Sequence, residues 1–383
     1  MRNRKSKFIG HGQSINNNIE MLTKVGFKMA VNSPVSLGYR MPAEWEQHEA
    51  TWISWPKDPE TFPGSILKKV EDIYCEIVGA LSSCEKVKIL VNDKQSEHIV
   101  IKKLEARGVF NSNVLFYRIK SVDVWTRDYL PSFVLNSSLQ KLGAIKWKFN
   151  AWGNKYTDLL KDDDTGLAVA KQAVKQTKGK VFRPNIVLEG GSIDVDGKGL
   201  LLTTEQCLLN KNRNPRYSKQ KIEKILRDYL GVSTIIWLKN GIEGDDTDGH
   251  IDDFCRFVPK NKIVIAQESI NPADQNYKIL KENLHILEEW RNSAGHDFEI
   301  FTLTMPAPVI SGGRRLPASY ANFYIANKVV LLPVFGCRND SDALGTLAQL
   351  FDNREIIAIN ATELIYGYGG IHCVTQQEPK VID

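Results

Sequence analysis

Three consecutive segments, Gly199-Leu-Leu-Leu-Thr203, Tyr217-Ser-Lys-Gln-Lys-Ile-Glu-Lys-Ile-Leu-Arg-Asp-Tyr-Leu230 and Thr234-Ile-Ile-Trp-Leu238, decide how this chain folds. The middle one places Ile222, Ile225, Leu226 and Tyr229 at i, i+3, i+4 and i+7, which gives a helix one apolar face. Gly231 follows where helices commonly end in a left-handed residue. The flanking segments are short, apolar and partly β-branched, and read as strands. The unit is therefore strand, helix, strand.

The unit recurs along the chain. Helical spacing over 66–82 precedes Val87-Lys-Ile-Leu-Val91, and over 95–108 it precedes Val114-Leu-Phe-Tyr117. Residues 165–178 precede Asn185-Ile-Val-Leu188, 276–291 precede Phe298-Glu-Ile-Phe301, and 340–352 precede Ile356-Ile-Ala-Ile359. The leading strands Gly199-Leu-Leu-Leu-Thr203, Lys262-Ile-Val-Ile-Ala266 and Lys328-Val-Val-Leu-Leu332 also match one another and start about 65 residues apart. No Pro/Ser-rich linker follows residue 38, so residues 37–383 are expected to form a single closed α/β domain. Residues 1–36 are expected to be a flexible N-terminal extension.

Composition narrows the function. The chain is 42% hydrophobic and 25% charged over 383 residues, as a globular protein with a large core is. No apolar run approaches the roughly 20 residues of a membrane helix, and the basic N-terminus lacks the apolar stretch of a secretory signal. The net charge of +5 comes from dispersed lysines and arginines, whereas a nucleic-acid footprint needs them clustered. Six scattered cysteines without a CxxC pair read as reduced thiols of a cytoplasmic protein.

The polar motifs occupy one place in the repeat. Asp123-Val-Trp-Thr-Arg-Asp128 follows the second helix and its strand, Glu189-Gly-Gly191 the third, His250-Ile-Asp252 the fourth and His372-Cys373 the last. Equivalent positions in pseudo-symmetric repeats fall on one ring, so these motifs are expected to converge on one pocket. Cys373 is then the candidate nucleophile, and its thiolate needs a nearby positive charge that a cationic substrate can itself supply. The carboxylates of Asp128, Asp252 and Glu189 suit a planar guanidinium, whose fork of donors pairs with them in bidentate fashion. His250 and Asp252 share a face if the segment is extended, so one can bind substrate while the other moves protons. Gly190, Gly191, Gly369 and Gly370 would let the backbone approach the ligand. His372 is expected to point away from the pocket, because strand neighbours face opposite ways. The remaining five cysteines read as inert core thiols.

Metal chemistry finds no pattern. An EF-hand register with Gly249 sixth puts Gly244 first and Cys255 twelfth, where acids are required. A zinc set of His250, Asp252, His372 and Cys373 matches no common spacing.

At these residues the chain resembles the guanidine-modifying enzymes of the pentein superfamily, and in particular the agmatine deiminase and Porphyromonas-type peptidylarginine deiminase family. The resemblance runs from Tyr39-Arg-Met-Pro-Ala-Glu-Trp-Glu46 to the C-terminus. It includes Trp125-Thr-Arg-Asp128, Leu188-Glu-Gly-Gly191, Thr204-Glu-Gln-Cys-Leu-Leu-Asn210, Gly244-Asp-Asp-Thr-Asp-Gly-His-Ile-Asp-Asp253, Ser319-Tyr-Ala-Asn-Phe323 and Ile371-His-Cys-Val-Thr-Gln-Gln377. It implies a five-fold pseudo-symmetric α/β-propeller built from the strand-helix-strand repeats. It implies Cys373 as nucleophile, His250 as general acid and base, and Glu189 as the carboxylate that orients the histidine. Asp128 and Asp252 would grip the guanidinium, Trp125 would line the pocket and Asn322 would stand near it. The implied reaction is hydrolytic deimination of agmatine to N-carbamoylputrescine and ammonia, a step toward putrescine, through a covalent thiouronium on Cys373. No metal or organic cofactor is implied, and a homodimer is implied only by the family.

The chain departs from the family pattern at three places. Arg127-Asp-Tyr129-Leu130-Pro stands where members often read Arg-Asp-Thr-Gly-Pro. Ser192 replaces a frequent Asn, and Tyr366-Gly-Tyr-Gly-Gly-Ile-His-Cys373 lacks the Asn that commonly precedes Ile-His-Cys. The same residues suit two neighbouring reactions. One is deimination of peptidyl-arginine or free arginine, for which an α-carboxylate calls for a further cation such as Arg314 or Arg315. The other is amidine transfer to an amine. A pure binding scaffold would be expected to have lost the cysteine and histidine.

Overall fold

The computed structural model of the protein describes residues 30–293 and 297–381. Six helices of 11 to 19 residues punctuate the chain: α1 (Ile66–Ser82), α2 (Lys94–Ala106), α3 (Asp162–Val174), α4 (Lys219–Leu230), α5 (Gln275–Ser293) and α6 (Asp340–Leu350). Each predicted helix is present within a few residues of its expected span. The unit around α4 shows why. Ser218 caps its start by accepting from the Lys221 N–H, and Ile222, Leu226 and Leu230 are buried. Gly231 closes it at φ 77, in the left-handed region that only glycine adopts freely.

The helices bridge strands in one recurring connectivity. A short strand lies antiparallel to a second strand, and the second runs through a helix to a parallel third. Ile193–Val195 pairs with Leu200–Thr204, which passes through α4 to Thr234–Leu238. The same order joins Ser132–Asn136, Lys141–Ile145, α3 and Val181–Phe182. It joins Cys255–Val258, Lys262–Gln267, α5 and Glu299–Thr304, and again Tyr324–Ile325, Val329–Val334, α6 and Glu355–Asn360. Apart from a small hairpin of Ile310–Ser311 with Arg314–Arg315, a fifth sheet follows, in which the antiparallel partner of His48–Ser54 is Gln376–Pro379, from the other end of the chain. His48–Ser54 continues through α1 to Lys86–Val91 and through α2 to Val114–Arg118. This sheet therefore joins both ends of the described chain. Apolar clusters fill the spaces between the sheets and their helices, as in a mixed α/β fold.

Two expectations need correction. Asn185–Leu188 is not a strand; only an isolated bridge from Lys148 to Val187 forms there, and the parallel partner is Val181–Phe182. Pro184 interrupts the run, and the Asn214 amide side chain takes both the N–H and the carbonyl of Val187 that a strand neighbour would have used. At the N-terminus, residues 1–29 of the expected extension lie outside the described residues, whereas Ser33 and Val35 are already buried ahead of residue 37. Among the described residues no helix is long and apolar enough to cross a membrane, and all six cysteines are free.

Candidate active site

Each of the five larger sheets delivers a polar residue at the same point, just ahead of its antiparallel strand. Asp128 precedes Ser132–Asn136, Glu189 precedes Ile193–Val195, and Asp252 precedes Cys255–Val258. Asn322 precedes Tyr324–Ile325, and Cys373 precedes Gln376–Pro379. Short turns carry or follow several of them, at Thr126–Tyr129, Gly190–Ser192 and Ile251–Asp253. The residues expected to converge do come together, and Asn322 joins them from a further sheet.

Cys373 lies at the inner end of a cavity of about 390 Å³, within the range of small-ligand sites. Its Sγ lies 3.2 Å from Asn322 Nδ2 and 4.0 Å from Asp252 Oδ2. Asn322 also donates to Asp253 Oδ1 at 2.9 Å and accepts from the His372 N–H at 2.9 Å, which pins the turn carrying the cysteine. Asp128 accepts from the Gly191 N–H through Oδ1 at 3.0 Å and from the Trp152 indole through Oδ2 at 2.9 Å. His250 Nδ1 stands 3.7 Å from Asp128 and 4.0 Å from Asp252, while Nε2 stands 4.0 Å from Glu189 Oε2. Glu189 is held from behind by Arg213 Nε at 2.9 Å. Trp125 lines the cavity with its indole N–H on Asp123.

The predicted residues therefore meet, though some by other means than expected. His250 and Asp252 do not share a strand face; a 3-10 turn at Ile251–Asp253 brings their side chains together. Asp245 shapes that loop by accepting from the N–H groups of Thr247, Gly249 and His250. His372 points away from the cavity as expected, but from a turn rather than a strand. Nδ1 lies 2.6 Å from Asp252 Oδ2 and Nε2 lies 2.7 Å from Glu44 Oε2. The site glycines serve side chains more than ligand. A Cβ at Gly191 would stand 2.6 Å from His250 Nδ1, and one at Gly369 would stand 2.3 Å from the Trp125 ring.

Trp152 was not foreseen. It sits in Asn150-Ala-Trp-Gly-Asn154, where residues 151 to 154 all adopt positive φ, between 51° and 84°. Such a run costs of order 1–3 kcal/mol per non-glycine residue and persists where the surroundings enforce it. Here it places Trp152 on the cavity wall with its N–H on Asp128. The flanking Asn and Gly were the only sequence signal.

Burial and mutual charge set the protonation states. The Cys373 thiol is pushed well above its ordinary value, first by burial and then by the charges of Asp252, Asp253 and Asp128. Burial alone would lower His250, but Asp128, the adjacent Cys207 thiol and Asp252 raise it well above the usual imidazole value. Burial drives Asp128 up to about 6, partly opposed by His250. Burial would also raise Asp252, yet His372, His250 and Arg256 hold it below the usual carboxylate range. The site thus carries a thiol and an imidazolium among carboxylates. A second cation beside the sulfur favours its thiolate.

A family model described as Porphyromonas-type peptidyl-arginine deiminase covers residues 40–379. The chain belongs to that family. Agmatine deiminase of Pseudomonas aeruginosa is 36% identical over 91% of this chain and 97% of its own length. Agmatine deiminase of Enterococcus faecalis, solved while catalysing its reaction, superposes with a TM-score of 0.80 at 32% identity, covering 93% of this chain and 100% of that one. A cysteine-to-serine variant of C. jejuni agmatine deiminase with substrate bound has a TM-score of 0.77 at 30% identity, covering 89% and 96%. The positions that depart from the common pattern of the Porphyromonas-type family do not strip the site. Tyr129 and Leu130 are buried, with the Tyr129 hydroxyl donating to the Asp123 carbonyl, and Ser192 donates to the Glu189 carbonyl. At Gly370 a Cβ would stand 2.4 Å from Asn322 Oδ1, so Asn322 occupies the space a larger residue there requires.

Trp152 provides a test that reads the site without destroying it. Its N–H lowers the pKa of Asp128. Below pH about 6 a protonated Asp128 no longer attracts a cation, so kcat/KM falls on the acid side. Trp152→Phe is expected to move that limb to higher pH. A limb that stays put assigns it to Asp123, which also faces the cavity and is likewise raised to about 6 by burial.

Proposed function

We propose that this chain is an agmatine deiminase that hydrolyses agmatine to N-carbamoylputrescine and ammonia, with residues from Ser33 onward as one catalytic domain. The observation that carries the substrate is the wall of the cavity. Asp58, Glu60, Asp158 and Asp246 stand around its exposed mouth, Asp123 and Asp128 lie deeper, and among the described residues no lysine, arginine or histidine lines it. A slot acidic at both ends suits a chain with a guanidinium at one end and an ammonium at the other. It repels an α-carboxylate. Arg315 is engaged by Asp274 and Glu243; Arg314 is exposed and outside the wall, and although its charge reaches Tyr156, the carboxylates of Asp158 and Asp246 keep that mouth acidic.

The mechanism follows from the proton inventory. Asp128 and Asp252 hold the guanidinium, and its charge lets the Cys373 thiol release a proton to solvent. The thiolate attacks the guanidinium carbon, forming a C–S bond and a tetrahedral adduct. The His250 imidazolium protonates one nitrogen, the C–N bond breaks and ammonia departs, leaving an S-alkylthiouronium. Neutral His250, steadied by Glu189, takes a proton from water as its oxygen attacks the same carbon. Collapse breaks the C–S bond, the adduct's hydroxyl gives its proton to solvent, and the ureido product and the thiolate are released.

The five larger sheets of one connectivity and the ring of residues ahead of their antiparallel strands support a five-bladed propeller around this site. The free thiols support a reducing compartment, and we place the enzyme in the cytoplasm.

Ammonia and ureido release from agmatine, free arginine and a blocked arginine amide tests the reading. Agmatine is expected to lead arginine by at least about 100-fold in kcat/KM, because setting like charges against each other costs several kcal/mol. Turnover confined to the blocked amide would move the assignment to protein modification, and equal turnover of arginine would remove the role of the acidic mouth.

A further inference from the structure

Behind His250, on the side away from the cavity, three different metal-ligating side chains are buried together. Cys207, in the one-turn helix Glu205–Leu208, Glu189 and His250 each offer an atom, and these atoms all lie within 4.8 Å of one another. None is more than 1% exposed. Nδ1 of His250 faces Asp128 and Asp252, which leaves Nε2 for this side. Nε2 and Glu189 Oε2 are 4.0 Å apart; the Cys207 thiol stands against the imidazole, and Glu189 Oε2 has no hydrogen-bond partner among the described residues. A buried carboxylate oxygen left unpaired beside an imidazole is costly. Both are aimed at the same point as a sulfur.

We propose that Glu189, Cys207 and His250 form an inhibitory site for a borderline-soft divalent cation, Zn²⁺, distinct from the nucleophile. The donor set is one carboxylate oxygen, one imidazole nitrogen and one sulfur, the mixture zinc accepts in tetrahedral sites. Bonds of about 2.0–2.3 Å put ligand atoms roughly 3.3–3.8 Å apart, so the three side chains close in by up to about an ångström. Cys207 binds as thiolate and His250 through neutral Nε2, with the displaced protons leaving to solvent. Arg213 is the one cation against the cluster; its Nε is on Glu189 Oε1 and its charge is shared with Asp248. Glu189 Oε2 is left free by that geometry. Because all three ligands are buried, loading is slow and needs local opening. A metal on Nε2 stops His250 from carrying protons, a consequence that rests on the mechanism proposed above; binding itself does not.

Co²⁺ serves as the probe, since thiolate coordination produces an intense near-ultraviolet charge-transfer band. After long incubation the band is expected in the wild-type enzyme and in Cys373→Ala, and absent in Cys207→Ala of unchanged circular dichroism. Zn²⁺ is expected to inhibit ammonia release slowly and reversibly by chelator, with the half-inhibitory concentration raised at least about tenfold in Cys207→Ala. No band in the wild type, a band that survives in Cys207→Ala, or a band lost in Cys373→Ala overturns the proposal. The last outcome puts the metal on the nucleophile with Asp252 and Asp253. An unchanged half-inhibitory concentration overturns it as well. The spectroscopic arm stands whatever the substrate proves to be.

Discussion

Cys373→Ser is expected to lose ammonia release from agmatine by at least about 10⁴-fold in kcat, as loss of a nucleophile does in other covalent hydrolases. The size of the effect comes from how the sulfur is activated. No contact joins His250 to Cys373 among the hydrogen bonds of the site; Asn322 and Asp252 are its neighbours. A serine hydroxyl with no adjacent base cannot ionise, because the charge of a bound guanidinium bridges the gap for a thiol but not for an alcohol. Structure is not the reason for the loss. Serine accepts the same Asn322 N–H, and the position is 7% exposed in a turn held by its backbone, so the melting temperature should move by no more than a few degrees. Intact-mass analysis after acid quench supplies the positive control: an agmatine-derived adduct on the wild type and none on the variant. Residual turnover above about one per cent would remove Cys373 from the chemistry.

Asp128→Asn should cost about 3–5 kcal/mol in kcat/KM, or two to four orders of magnitude, while Asp128→Glu should also fail. Two effects add. The amide carries no charge to meet the guanidinium. It also presents one acceptor where the structure offers two donors, the Gly191 N–H and the Trp152 indole. Either choice of amide orientation sets an NH₂ against an N–H inside a buried site. The longer Glu cannot satisfy both donors, because Gly191 brings the backbone close enough that a Cβ there would stand 3.0 Å from Asp128 Oδ1. Steady-state kinetics with agmatine, beside binding of putrescine as an unreactive cation, separate the two effects. If Asn reduces activity by less than tenfold, Asp128 does not grip the substrate.

Much of this was readable along the chain. The helices announced themselves because their signals are local: apolar spacing within one turn, Ser218 at the start of α4 and Gly231 at its end. Repetition then placed Asp128, Glu189, His250, Asp252 and Cys373 at equivalent points without any three-dimensional knowledge. What escaped depends on contacts without local pattern. Trp152 lies in a left-handed turn that follows no helical or strand period, and only neighbouring Asn and Gly hinted at a bend. Glu44 supports His372 from 328 residues away, and Arg213 braces Glu189 from a loop that reads as plain surface. Asn185–Leu188 had the composition of a strand, yet Asn214 took its backbone bonds.

Residue types and their spacing settled which groups are present and which elements carry them, since periodicity and chemistry are properties of a few neighbouring residues. The protonation states lay beyond that reach. Cys373 is held as a thiol by burial and by Asp252, which is 121 residues distant in the chain and 4.0 Å away in space. His250 is held as an imidazolium chiefly by Asp128, from another sheet. A pKa answers to desolvation and to charges within a few ångströms, and only the packing of separate segments against one another puts those charges there.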